Sequence, residues 1–237
     1  MIMKKYLLLF CLFFICSDIY ASKLRDIDWE EISSKDGITV FRALNYKHNS
    51  GIVPIRFKAV LNHDIVKVLS VLADEYRKPE WLPDLQGIKV LEKKSVEDIT
   101  VYYRYHVPWP LKDRDFIVKN LGTFDVEELK VSVDIKSIEH KSDPSDGSTV
   151  RGTTYDGYSI IRPEGRGKTI VELAFLNDFG GFIPTFVVNF IQKSWPYSFM
   201  KQLRLHLNKS DITLLPEFEN RAKEAFSKKK QANNLKV

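Results

Sequence analysis

Residues 178–207 limit the choice of fold more than any other stretch. Gly180 and Gly181 can take backbone angles closed to other residues, and Pro184 suits the first turn of a helix, where its missing N–H costs nothing. This pattern predicts a hinge followed by a helix start. From there Val187, Ile191, Trp195, Phe199, Leu203 and Leu207 recur every fourth residue, and Phe186, Phe190 and Met200 widen the stripe toward all-round hydrophobicity. Such a helix needs cover on more than one side. Pro196, inside the pattern, is expected to kink or divide it.

The cover comes from the preceding chain, which reads as strands between turn signals. Segments 29–33 and 38–44 flank Asp36-Gly37, a strong hairpin dipeptide, and 52–61 adds a third extended run. Asp64 can cap a short helix carrying Ile65, Val68, Leu69 and Leu72 on one face, ending before Pro79. Trp81, Leu82 and Pro83 lead into strand 88–91. Segment 99–107 then alternates, with Ile99, Val101, Tyr103, Tyr105 and Val107 on one face and Tyr102, Arg104 and His106 on the other. Pro108-Trp109-Pro110 cannot sit in a central strand, so a loop must lie there. Strands 116–124 and 130–138, a polar turn at 142–148 and a hairpin of 150–161 with 169–175 complete the pattern. Long antiparallel strands followed by a terminal helix predict an α+β fold, a curved antiparallel sheet wrapped around that helix.

Three segments divide the chain. Residues 1–21 read as a signal peptide: Lys4 and Lys5 precede an apolar run, and Ala21 ends a plausible cleavage site. The run is about 10 residues long, against the roughly 20 needed to span a bilayer. Ile15, before Cys16, is too large for a lipoprotein signal. Residues 22–209 form one domain, supported by a hydrophobic content of 44%. Residues 210–237 are a polar, basic tail, frayed or disordered, to which the sequence assigns no function. Both cysteines, Cys11 and Cys16, fall in the signal, so the domain has no disulfide to stabilise it. Loss of Lys4, Lys5 and Asp18 with the signal lowers the formal net charge from +5 to +4. The charges are interspersed, without the basic blocks of a nucleic-acid binder; an exported, mildly basic protein instead suits anionic lipid surfaces. Periplasm and secretion both fit the signal, and the lack of thiols suits a periplasm.

Catalytic signatures are few. The five histidines are far apart in sequence, and no Gly-rich phosphate loop opens a helix after a strand, so neither a metal nor a cofactor is expected. Asp113-Arg114-Asp115 is the one dense polar group. It can be read as an acid/base set with His106, or more simply as local hydrogen bonds pinning the loop base. Trp109, between its prolines, suits two roles equally: a core plug or an anchor at a membrane boundary, where Lys112, Lys193 and Lys201 would add attraction to headgroups.

Several segments together resemble the START domain, a lipid-transfer module. They are Tyr76-Arg77-Lys78 with Trp81; Val101-Tyr102-Tyr103, Pro108-Trp109-Pro110-Leu111 and Asp113-Arg114-Asp115-Phe116-Ile117-Val118; Gly157-Tyr158 with Arg162-Pro163 and Thr169-Ile170-Val171; and Gly180-Gly181-Phe182-Ile183-Pro184 with Val187-Val188-Asn189. They occur in the family's order and cover residues 28–209. The resemblance implies a helix-grip fold enclosing a tunnel for one lipid, without catalysis, in a monomer that touches membranes transiently. It implies a gate at Pro108, Trp109 and Pro110, facing a hinge at Gly180, Gly181 and Pro184. It makes Arg77 a headgroup contact beside Trp81, and places Val101, Tyr103, Tyr105, Phe116, Val118 and Asn120 along the tunnel. Trp109, Val187, Phe190, Ile191 and Trp195 would close it. Two charges typical of sterol-binding members are replaced by Val101 and Asn120, which disfavours their mode of sterol recognition without excluding sterols; a phospholipid or related amphiphile is the leading expectation. Related helix-grip proteins include enzymes, so a cyclase or hydrolase-like activity using His106, Arg104 and Asp115 is the alternative. A pocket filled by its own aromatics is a third.

Overall fold

The computed structural model describes residues 21–46, 48, 51–183 and 185–234, without the side chains of 185–187, 189–193, 229–230 and 232–234. The predicted signal, apart from Ala21, therefore lies outside the described residues, as do Pro184 and the side chains of Val187, Phe190 and Ile191.

Asp36 and Gly37 take φ of 53° and 69°, the left-handed pair that a two-residue hairpin requires, and join β1 (Trp29–Lys35) to β2 (Ile38–Ala43). β3 (Ile55–Leu61) follows, then α1 (Ile65–Ala73), whose N-cap Asp64 accepts from the Val66 N–H at 2.9 Å. A 3-10 turn, Glu75–Glu80, leads into β4 (Leu85–Lys93), β5 (Asp98–Tyr105), β6 (Arg114–Asp125) and β7 (Lys130–Ser137). The two-residue β8 (Val150–Arg151) precedes the hairpin of β9 (Thr153–Pro163) and β10 (Thr169–Asp178). α2 (Thr185–Leu207) and α3 (Pro216–Asn234) end the chain.

The strands form one sheet in the order β1-β2-β3-β10-β9-β7-β6-β5-β4, with β8 parallel to β6. It is curved but not closed. Most neighbours are close in sequence. The β3–β10 pairing is the long-range join, and it requires the segment carrying α1 to cross from mid-sheet to the far edge. α2 packs through its second half: Phe199, Met200, Leu203 and Leu207 are buried, and Phe57 of β3 meets Trp195 and Phe199 at ring separations of 6.0 and 5.5 Å.

Two expectations are corrected. Pro196, buried, does not divide α2, which is helical on both sides of it, because the side chains of the following two turns are committed to the core, and tertiary packing outweighs one lost hydrogen bond. The tail 210–237 carries a docked helix rather than a loose end. In α3, Phe218, Ala222 and Ala225 are buried at helical spacing, with Leu129 in the same cluster as the two alanines. Just before it, the Leu215 N–H donates to Ser70 Oγ of α1 at 2.9 Å. The small alanines permit close approach but carry a weak hydrophobic signal in a segment dominated by charge.

Candidate functional site

Between the sheet and the helices lies a cavity of about 320 Å³. Alternation along the strands places Tyr103 and Tyr105 of β5 and Phe116, Val118 and Asn120 of β6 on its wall, while Trp81, Trp195 and Phe199 close it from the helical side. Seven predicted residues thus share one space: Trp81, Tyr103, Tyr105, Phe116, Val118, Asn120 and Trp195. Most of the remaining wall is aliphatic or aromatic, including Leu69, Ile99, Val131, Ile161 and Phe175.

Inside this apolar wall sits a buried ion pair that the sequence reading did not find. Lys78 Nζ donates to Glu75 Oε1 and, at 3.1 Å, to Tyr103 Oη, while Tyr103 Oη donates to Glu75 Oε2 at 2.8 Å. All three residues line the cavity. Burial, with Glu75 nearby, pushes the Tyr103 phenol well up; burial, with Glu75 and then Asp84, does the same for Tyr105. Both remain neutral hydroxyls. Trp81 Nε1 and Asn177 Oδ1, on two further lining side chains, are buried and have no protein partner among the described residues.

One end of the cavity abuts residues 107–113 and 177–181. Asp113 fastens the loop base: its carboxylate accepts from Arg104 Nη2 at 3.0 Å and from the Val107 N–H at 3.3 Å, and contacts His106 Nδ1 at 3.1 Å. Burial alone would raise the Asp113 carboxyl, but these donors outweigh it and hold the group below its ordinary value. Asp115, fully buried, accepts from Arg151 Nε at 3.0 Å and Nη2 at 3.1 Å. Arg114 lines the cavity and ties the loop to the Gly180-Gly181 turn, donating to the carbonyls of Lys112, Phe179 (3.1 Å) and Gly180 (3.4 Å). Burial lowers its pKa from an ordinary value so high that the guanidinium remains a cation. Gly180 and Gly181 take φ of 68° and 61°, and the Gly180 N–H donates to Asp178 Oδ1 at 2.8 Å, forming the turn into α2.

Three predicted contacts fall elsewhere. Arg77 points outward, donating to Glu80 Oε1 at 2.8 Å and Asp211 Oδ2 at 2.9 Å. Val101 is fully buried in the core but does not line the cavity. Trp109 is 90% exposed, so of its two proposed roles the core plug is excluded, and its neighbours Pro108 and Pro110 are exposed as well.

Residues 21–212 match the START domain family. The chain belongs to the START domain family. Phosphatidylcholine transfer protein of Mus musculus is 27% identical over 192 residues, which span 79% of this chain and 87% of that protein. Among solved structures, human StAR-related lipid transfer protein 5 superposes with a TM-score of 0.68 at 17% identity, over 76% of this chain and 86% of the other. A StAR-related lipid transfer protein fragment from Xanthomonas axonopodis gives 0.66 at 21% identity, over 76% and 99%. As a START domain, the chain has the helix-grip architecture its segments resembled, and α3 begins beyond the matched residues.

Proposed function

We propose that this START domain binds a single lipid in its cavity and carries it between membranes, without chemistry on the lipid. The observation that carries this reading is the cavity itself, apolar over most of its wall, with the Glu75–Lys78 ion pair and two neutral phenols among its few polar groups. Each acyl methylene moved from water into such a wall gains about 0.8 kcal/mol. The Glu75–Lys78 pair is neutral overall and offers an acceptor and a donor side by side, which suits a zwitterionic headgroup: phosphate toward Lys78, the cationic group toward Glu75 and the faces of Tyr103 and Tyr105. The relatives named as phosphatidylcholine transfer proteins support that choice.

An enzymatic role finds less support. The candidate acid/base groups are engaged in holding the loop: Asp115 by Arg151, and Arg104 and His106 by Asp113. The chain acts as a monomer, touching the bilayer through the end bearing Trp109. It is exported and works in the periplasm or outside the cell, after cleavage at Ala21. The buried Ser22 supports this cleavage, since its N–H donates to Asp134 Oδ1 at 2.9 Å and a new ammonium there would pair with that carboxylate.

The test is incubation of the purified protein with vesicles of phosphatidylcholine and phosphatidylethanolamine, followed by native mass spectrometry and a donor-to-acceptor transfer assay. One lipid adduct per chain and catalysed transfer are expected. A clean lipid-free species with no transfer would overturn the proposal, and a chemically altered lipid would return the enzymatic reading.

A further inference from the structure

The structure assigns α3 as the floor of the cavity, and we propose that Phe218 sets the length of acyl chain the protein accepts. This rests on the reading that the cavity holds a lipid. Strands β5 and β6 run the length of the space. Tyr105, Arg114 and Phe116 mark the end near the loop and hinge, and Ile99, Gly122 and Phe124 mark the other, all of them on the wall. From Phe116 to Phe124 is eight residues of strand, about 26 Å. The charges are unequally divided. The loop end holds Arg114, His106 and Asp84, and Lys78 and Glu75 are bound to Tyr103; beyond them the wall is mainly Leu69, Leu72, Ile99, Val131 and Phe124, and the two charges there, Glu97 and Arg221, are paired with each other. Acyl chains therefore run toward α3.

What stops them there is Phe218. It is 5% exposed, it lines the cavity, and it belongs to the main core. α3 is held in place independently of any ligand. Arg221 pairs with Glu97 on the β4–β5 turn, and its guanidinium lies 5.2 Å from the Phe124 ring centroid. A Cβ at Gly122 would come within 3.1 Å of Glu97 Cβ, so glycine lets the turn approach β6 and meet α3. Ala222 and Ala225, one turn on, hold the helix against Leu129. A ring fixed this way makes a rigid stop, because packed interiors do not yield to an added methylene without strain.

The experiment is competitive uptake from vesicles containing phosphatidylcholines and phosphatidylethanolamines that differ only in acyl length, read by native mass spectrometry. For the unaltered chain, uptake should change little with acyl length up to a maximum length, because each methylene passes from the apolar bilayer core to an apolar wall, and should fall beyond it. Phe218→Ala should move the maximum to chains longer by roughly two carbons, and Phe218→Trp to shorter ones. Phe218→Leu provides a milder enlargement should the alanine variant not fold. Uptake with a maximum unmoved in every folded variant overturns this proposal alone. Failure of the unaltered chain to take up any lipid overturns the carrier reading, and this one with it.

Discussion

Glu75 and Lys78 are three residues apart in a 3-10 turn, where positions i and i+3 eclipse, so both side chains enter the cavity while Arg77 and Glu80 pair outside. That rotation explains why Lys78, and not the Arg77 of the Tyr-Arg resemblance, is the cation that lines the cavity. The strand positions were legible because period-two alternation survives in any twisted sheet, whereas nothing local distinguishes a 3-10 turn from the end of α1. A buried pair is poor evidence of stability, since removing one partner typically costs about 3–5 kcal/mol while replacing both by apolar groups is often neutral. Lys78→Met should therefore lower the melting temperature sharply. Lys78→Met with Glu75→Leu should recover much of it, yet lose discrimination between zwitterionic and other headgroups in vesicle uptake. A double variant that keeps the headgroup preference would remove the pair from recognition. A second residue-scale prediction concerns His206, buried against Trp81 with Nδ1 3.9 Å from a Glu80 carboxylate that Arg77 and Lys209 already hold. Burial lowers its pKa, reinforced by Lys209 and Arg77 and opposed by Glu80 and Asp211; burial and Lys67 lower that of His63 against an Asn208 hydrogen bond. A folded pKa below the unfolded value of about 6.5 means the unfolded chain binds protons first, so this stability is complete above about pH 6.5 and declines as the pH falls toward the folded pKa. Melting temperature should drop between about pH 7 and pH 5, and His206→Gln should flatten the slope to the share left by His63.

At the scale of elements, hairpins and amphipathic segments announced themselves through turn dipeptides and periodicity, and the two helix errors have one cause. Pro196 and the charged tail were judged by local preference, while the core decides both: buried neighbours carry α2 through its proline, and a narrow stripe of Phe218, Ala222 and Ala225 holds α3. The hinge glycines were legible as glycines, but their unlike surroundings were not. A Cβ on Gly180 would lie 2.4 Å from the Arg151 carbonyl oxygen, whereas one on Gly181 would meet only Val150 Cγ1 at 3.6 Å. Both substitutions incur the left-handed penalty of about 1–2 kcal/mol; only that at Gly180 adds a backbone clash. Gly180→Ala should destabilise the fold by more than about 2 kcal/mol in urea unfolding. Gly181→Ala should fold with a smaller loss and slow lipid exchange between vesicles several-fold, with little change in the amount bound. Exchange at the normal rate in Gly181→Ala would remove the hinge from the mechanism.

For the whole molecule, the two ends of the cavity have opposite characters. One is closed by α3 and the Glu97–Arg221 pair. The other carries Trp109 at 90% exposure and Phe182 at 84%, on two segments that a single buried side chain, Arg114, binds together through their carbonyls. Large aromatics this exposed lose favourable burial in water, but indole and phenyl rings gain it at the bilayer boundary. Because both segments hang from Arg114, insertion of either ring would pull on the strap between them, and on the proposed carrier reading contact with the membrane and opening of the cavity would be one event. Lys112 and Lys201 are exposed, and such lysines add a salt-sensitive attraction to anionic headgroups. Trp109→Ala with Phe182→Ala should thus leave the melting temperature and the lipid already bound nearly unchanged, while slowing vesicle-to-vesicle transfer about tenfold or more, each ring contributing up to roughly 1.5–3 kcal/mol of interfacial burial. Arg114→Met should act oppositely on exchange. With the strap cut, lipid should leave faster and transfer should depend less on anionic lipid in the vesicles. Equal transfer by the unaltered chain and the double-alanine variant at low salt would place the membrane contact on some other surface.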